Sequence, residues 1–156
     1  MLREKLGLSE RLMMEIHEDH QKVSELIEEA LGTGGQVKRG ELFGELKDLL
    51  IAHSKAEEKV VYRRLQKSKD DEIRKFAMEA EVEHGVVEEL LDQLGRMRGK
   101  NSEQWTAKFT VLQEMVQHHV EEEEKEGFGY IRSECEDEEI EKMADQFERA
   151  KEKLLA

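Results

Sequence analysis

LKDLLIAHSKAEEKV, residues 46–60, puts Leu46, Leu49, His53, Glu57 and Val60 on one face of a helix, since positions three or four apart share a face. A plain amphipathic helix fills such a seam with leucine and valine, whereas here a histidine and a glutamate interrupt it. A histidine interrupts a seam three more times along the chain, once again with a glutamate four residues on. The seams run Leu12, Ile16, His20, Val23, Ile27, then Phe76, Ala80, His84, Val87, Leu91, then Phe109, Leu112, Val116, His119, Glu123.

Turn signals separate these seams. Gly32-Thr33-Gly34-Gly35, Lys67-Ser68-Lys69-Asp70 and Arg98-Gly99-Lys100-Asn101-Ser102 are the breaks, with a fourth expected from Gly127 to about Asp137. Ser9 and Ser102 read as helix N-caps. The spacing predicts helices over roughly 9–31, 40–66, 70–97 and 103–126. A shorter fifth, over about 137–154 with Ile140, Met143, Phe147 and Leu154, is expected to pack across the outside. Four long helices with short connections fold back and forth. The predicted fold is therefore all-α, an up-down-up-down antiparallel four-helix bundle (about 9–127) with an additional C-terminal helix, in one domain spanning residues 1–156. Composition agrees: proline is absent, aromatics make up 5% and charged residues 40%, which suits long amphipathic helices and disfavours a sheet-rich fold.

The formal net charge of −13 repels nucleic acid and anionic membranes, so neither is expected as a partner. Much of the excess lies in Glu121–Glu124 and Glu136–Glu139, which read as solvated faces. The single Cys135 forms no intrachain disulfide, the start of the chain is charged, and no later segment is apolar enough to span a bilayer. A cytoplasmic location is the expectation.

At about 1.5 Å rise per residue the four histidines fall within about one helical turn of a common height, so their rings can reach one layer. Four imidazoles and two carboxylates in a buried layer, with no lysine or arginine on the seams there, cost several kcal/mol per unpaired charge. A bound cation removes that cost. His20, His53, Glu57, His84, His119 and Glu123 are therefore the expected metal ligands. Each His-x-x-x-Glu offers a nitrogen and a carboxylate from one helix. Two carboxylates among four imidazoles suit two metals bridged by Glu57 and Glu123, with two histidines on each. Mixed ligation of this kind favours iron, with manganese and zinc as competitors. Glu81 and His17, each one turn before a seam histidine, are candidates for additional ligands or for solvated neighbours of the site. His118 adjoins the expected ligand on the opposite flank, and Tyr62 and Phe128 read as packing residues closing the bundle ends.

At these residues the chain resembles the hemerythrin-like, or HHE cation-binding, family. The matching segments are Asp19-His20, then His53 to Glu57-Glu58 ending in Tyr62, then Glu83-His84, and His119 to Glu123-Glu124 ending in Phe128. The resemblance implies an up-down four-helix bundle with a non-haem di-iron centre bridged by two carboxylates and an oxo or hydroxo group. Oxygen-carrying members place a second histidine four residues from the one on helix 3, where this chain has Ala80 and Glu88. The usual proline after each aromatic is replaced by Arg63 and Gly129. The expected function is that of a non-haem di-iron protein that binds or reduces a small oxidant (dioxygen, peroxide or nitric oxide), in redox sensing or detoxification. The alternative is a reversible oxygen carrier or store, or an iron-sensing module, without turnover.

Overall fold

The computed structural model describes residues 10–156, so the Ser9 cap lies outside the described residues. Among these, every regular element is helical. Helix α1 is Glu10–Gly32. Helix α2, Gln36–Glu57, runs on through a π-helical turn, Glu58–Tyr62, and a last turn, Arg63–Leu65. Helix α3 is Asp71–Arg96. Helix α4, Glu103–Glu122, likewise continues through a π-helical turn, Glu123–Gly127, into Phe128–Glu134. Helix α5 is Asp137–Leu155.

Helices α3 and α4 start where short polar side chains cap free N–H groups. Asp70 accepts from the Glu72 N–H and Ser102 from the Trp105 N–H, at 2.9 and 3.1 Å. The fourth expected break is corrected. The helix continues through Gly127 and breaks only at Cys135, because no proline removes a donor and Gly127 lies inside the π-helical turn. Cys135 is buried, and that burial pushes its thiol up to about 11, so it is an inert packing group.

The helices form a bundle. α1 packs along α2 and α3 along α4, further contacts join α1 to α4 and α2 to α3, and α5 lies against α2 and α1. The apolar core is divided in two. One part gathers Val23, Ile27, Leu46, Leu91, Trp105 and Phe109. The other gathers Leu12, Ile16, Val61, Tyr62, Ile73, Phe128 and Ile131, and α5 joins it through Ile140, Met143 and Phe147. The histidines lie between these two parts. No helix among the described residues is long and apolar enough to cross a membrane.

Candidate metal centre

His20, His53, Glu57, His84, His119 and Glu123 are all buried, and one layer holds them. Their inner atoms face one another. His84 Nε2 lies 3.0 Å from His119 Nε2 and 3.2 Å from Glu57 Oε1. On the other side His53 Nε2 is 3.4 Å from Glu57 Oε1, and His20 Nε2 is 3.0 Å from Glu123 Oε1. The donors fall into two groups: His20, His53, Glu57 and Glu123, and Glu57, His84 and His119. Within each group the donor atoms lie within 4.8 Å of one another. Glu57 belongs to both, and the second oxygen of Glu123 comes 3.9 Å from His119 Nε2.

The outer face of every ring is held by a carboxylate. Nδ1 of His20 pairs with Glu124 at 2.6 Å, that of His53 with Asp19 at 2.7 Å, that of His84 with Glu58 at 2.9 Å and that of His119 with Glu83 at 2.8 Å. These pairs close a ring around the bundle: α1 holds the histidine of α2, α2 that of α3, α3 that of α4, and α4 that of α1. With the Nδ1–H donated outward, each Nε2 faces inward, so that its lone pair becomes available to a metal once that nitrogen loses its proton.

Two π-helical turns shape the floor. In each, the backbone N–H bonds five residues back, Arg63 to the Glu58 carbonyl and Phe128 to the Glu123 carbonyl. An i+5 side chain then stacks above residue i instead of rotating off its face. Tyr62 is thereby brought over Glu57. Its hydroxyl lies 2.9 Å from Glu57 Oε1, in close contact with Glu123 Oε2, and 3.1 Å from His119 Nε2. The expectation that Tyr62 only closes the bundle end is therefore corrected, while Phe128 does sit in the apolar core. Gly127 leaves no room for a side chain. A Cβ there would meet the Phe76 ring at 2.8 Å and Glu123 Cγ at 3.2 Å.

Burial alone disfavours imidazolium, yet the surrounding carboxylates outweigh it. Glu123 and Glu124 raise His20 to about 9, Glu57 and Asp19 raise His53 to about 10, and Glu57 and Glu58 raise His84 to about 9. Burial likewise disfavours the ionised form of Glu57, but His53 overrides it and holds the carboxyl well below its ordinary value. Burial and the nearby Glu57 push Glu123 up. Burial and the two carboxylates hold the Tyr62 phenol well above its ordinary value.

The remaining candidates lie outside the cluster. Glu81 is exposed and accepts from Gln66 at 3.1 Å. His17 is half exposed and backs Glu124 at 2.9 Å. His118 is exposed beside Glu122 and Glu83, at 3.4 and 3.9 Å. Sequence reasoning missed the roles of the outer carboxylates and of Tyr62. An acidic residue does stand beside a predicted ligand on all four helices, but among 38 acidic residues that pattern alone does not single them out.

The layer fits a cation. Glu57 Oε2 is buried without a hydrogen-bond partner, and His20 Nε2, His53 Nε2 and Glu123 Oε1, though close to carboxylate or imidazole atoms of the layer, form no well-aligned hydrogen bond, whereas buried polar atoms are ordinarily paired. The model of the hemerythrin HHE cation binding domain matches residues 11–131. The chain belongs to that family. Among the relatives of this HHE chain, a protein named DNA nickase from Nostoc sp. is 30% identical over 144 residues, covering 89% of this chain and 38% of that protein. An uncharacterized hemerythrin-like protein from Schizosaccharomyces pombe is 32% identical over 102 residues, covering 65% of this chain and 50% of that protein. The HHE chain thus spans half or less of the length of these curated relatives. Family and donor set together make this a metal-binding site.

Proposed function

We propose that the chain is a non-haem di-iron protein that binds or reduces a small oxidant: dioxygen, peroxide or nitric oxide. In this reading the first four helices run up-down-up-down. His20 and His53 would hold one ion and His84 and His119 the other, with Glu57 and Glu123 serving both. Tyr62 offers a further oxygen donor to the second ion. The observation that carries the reading is the pair of buried donor groups that share Glu57. Mixed imidazole and carboxylate donors favour iron over softer or harder competitors.

Size points to the ligand. Over the four histidine rings lies a cavity of about 20 Å³ with Val23, Leu50, Val87, Val116 and Val120 in its walls, room for about one small molecule. A larger cavity of about 270 Å³ lies between α1 and α4, sharing His20, Val116 and Val120, and offers a way in. The valines exclude bulky substrates, and the outer carboxylates hold the rings in place. Bound iron would supply the electrons given to the oxidant. The reading includes no nucleic-acid partner, since the formal net charge of −13 repels a phosphate backbone.

Metal analysis of protein grown with iron, joined to an optical spectrum, tests this. About two irons per chain, with a reduced spectrum that changes on exposure to dioxygen, peroxide or nitric oxide, is the expected result. One zinc per chain, or a reduced spectrum indifferent to all three, would sink it. Repeated oxygenation without loss of the reduced centre would select a carrier over an enzyme.

A further inference from the structure

Helix α5 lies wholly beyond residue 131, where the family match ends. It nevertheless reaches the metal layer. Lys151 Nζ lies 2.7 Å from Asp19 Oδ1, and the other oxygen of the same carboxylate takes His53 Nδ1 at 2.7 Å. The ring of Phe147, fully buried, stands edge-on to His53 with centroids 5.6 Å apart. Lys151 lies 5.4 Å from the Phe147 centroid, so both side chains belong to one patch of α5.

That patch is fixed to the bundle along the length of α5. Arg11 of α1 bonds Glu141 at 2.9 Å, pairs with Glu148 at 3.3 Å and also contacts Asp145, while Ile140, Met143 and Ala144 are buried beside it. The other three outer carboxylates have basic neighbours that are either more distant or more exposed, all from the four ligand-bearing helices. Lys55 is 3.7 Å from Glu58 and shared with Glu88, His118 is 3.9 Å from Glu83, and His17 on Glu124 has a side chain 47% exposed. Lys151, by contrast, is 20% exposed.

We infer that α5 is a working part of the metal centre, with Lys151 and Phe147 as positioning residues for His53. The inference rests on the two-metal reading above. Lys151 takes one oxygen of Asp19 and so prevents the carboxylate from turning away from His53 Nδ1. Phe147 blocks rotation of the imidazole. Together they make the position held by His20 and His53 depend on the docking of α5, while the His84 and His119 position does not. Outer partners of this kind ordinarily account for about 10–100-fold in metal affinity.

The test is anaerobic titration of the full chain with ferrous iron against a chromophoric chelator, counting ions and following their release. The wild-type chain should hold two ions. Lys151→Met should hold one of them about 10–100-fold more weakly and leave the other unchanged, while Lys151→Arg restores most of the loss. Lys153→Met, which removes the same charge from an exposed position on α5, should behave as wild type. Phe147→Leu keeps an apolar group in the core and should weaken the same single ion; it also serves if Lys151→Met is poorly folded by far-ultraviolet circular dichroism. Release of both ions from Lys151→Met and Phe147→Leu at wild-type rates would overturn the inference alone. Equal weakening of both ions, without rescue by arginine, would also overturn it. A wild-type chain that takes up fewer than two ferrous ions overturns the two-metal reading itself.

Discussion

The Tyr62 hydroxyl touches Glu57, Glu123 and His119 at once, and the phenol, pushed up by burial and by the two carboxylates, is a donor in the metal-free protein. Tyr62→Phe removes that donor and leaves buried carboxylate oxygens short of a partner. The expected loss is about 1–3 kcal/mol, read as a fall of the metal-free thermal midpoint on the order of 5 °C. With iron bound, the same variant should lose any tyrosine-to-iron charge-transfer band in the visible spectrum. An unchanged midpoint and spectrum would make the hydroxyl dispensable. The two adjacent histidines of α4 give a second test. His119 is buried with its inner nitrogen in the donor layer, whereas the His118 side chain is 63% exposed. His119→Ala should lower the metal content by about one ion per chain, and His118→Ala should leave it as it was. Equal losses from both would place the α4 ligand register in error.

At the scale of elements, the π-helical turns decide where the floor of the site lies. Gly127→Ala drives a methyl group into the ring of Phe76, which is partly buried and packed edge-on against Tyr62 and Tyr130, and against the buried Glu123, so packed neighbours must give way. The expected cost is about 1–3 kcal/mol, with weakened metal uptake through Glu123 and recovery when Phe76→Leu is added. Gly129→Ala, with nothing within 4 Å of the new Cβ, should be neutral or slightly stabilising in the same thermal scan. A Gly127→Ala midpoint at or above that of Gly129→Ala would contradict the clash. These turns also mark the limit of what the sequence discloses. Periodicity is enough to place His53 and Glu57 on one seam, since an α-helical repeat carries them there. It cannot bring Tyr62 to the same seam, because five residues on an α-helix turn a side chain away and only the i+5 hydrogen bonding returns it. Gly127 misleads for a related reason: glycine is the usual mark of a helix end, and its tertiary need, the Phe76 ring, is invisible in the local chain. The outer ring of Asp19, Glu58, Glu83 and Glu124 is hidden by composition. With 38 acidic residues in the chain, an acid beside a ligand is indistinguishable from a solvated face until the helices are assembled.

For the whole molecule the decisive quantity is how the centre balances its charge with and without metal. Glu57, Glu123 and the four outer carboxylates surround four imidazoles, and in the metal-free chain protons on His20, His53 and His84 offset the acids. His20 is raised to about 9, His53 to about 10 and His84 to about 9. A histidine raised on folding adds stability that is complete below its unfolded value of about 6.5 and is lost as pH climbs through the folded value. The metal-free protein should therefore lose stability between about pH 7 and 10, with a thermal midpoint lower at the alkaline end. Metal binding reverses the sign, because each inner nitrogen must be deprotonated before it can bind a cation. Uptake at pH 7 should release about three protons per chain, one each from His20, His53 and His84. Apparent affinity should climb as pH rises toward 9, and the loaded protein should not show the alkaline loss of midpoint. Thermal scans of the metal-free and iron-loaded chain from pH 6 to 10, with proton release measured in weakly buffered solution, distinguish these two slopes. A metal-free midpoint that rises with pH, or uptake without proton release, would mean that the imidazoles are already neutral and that the outer carboxylates do not hold them as protonated partners.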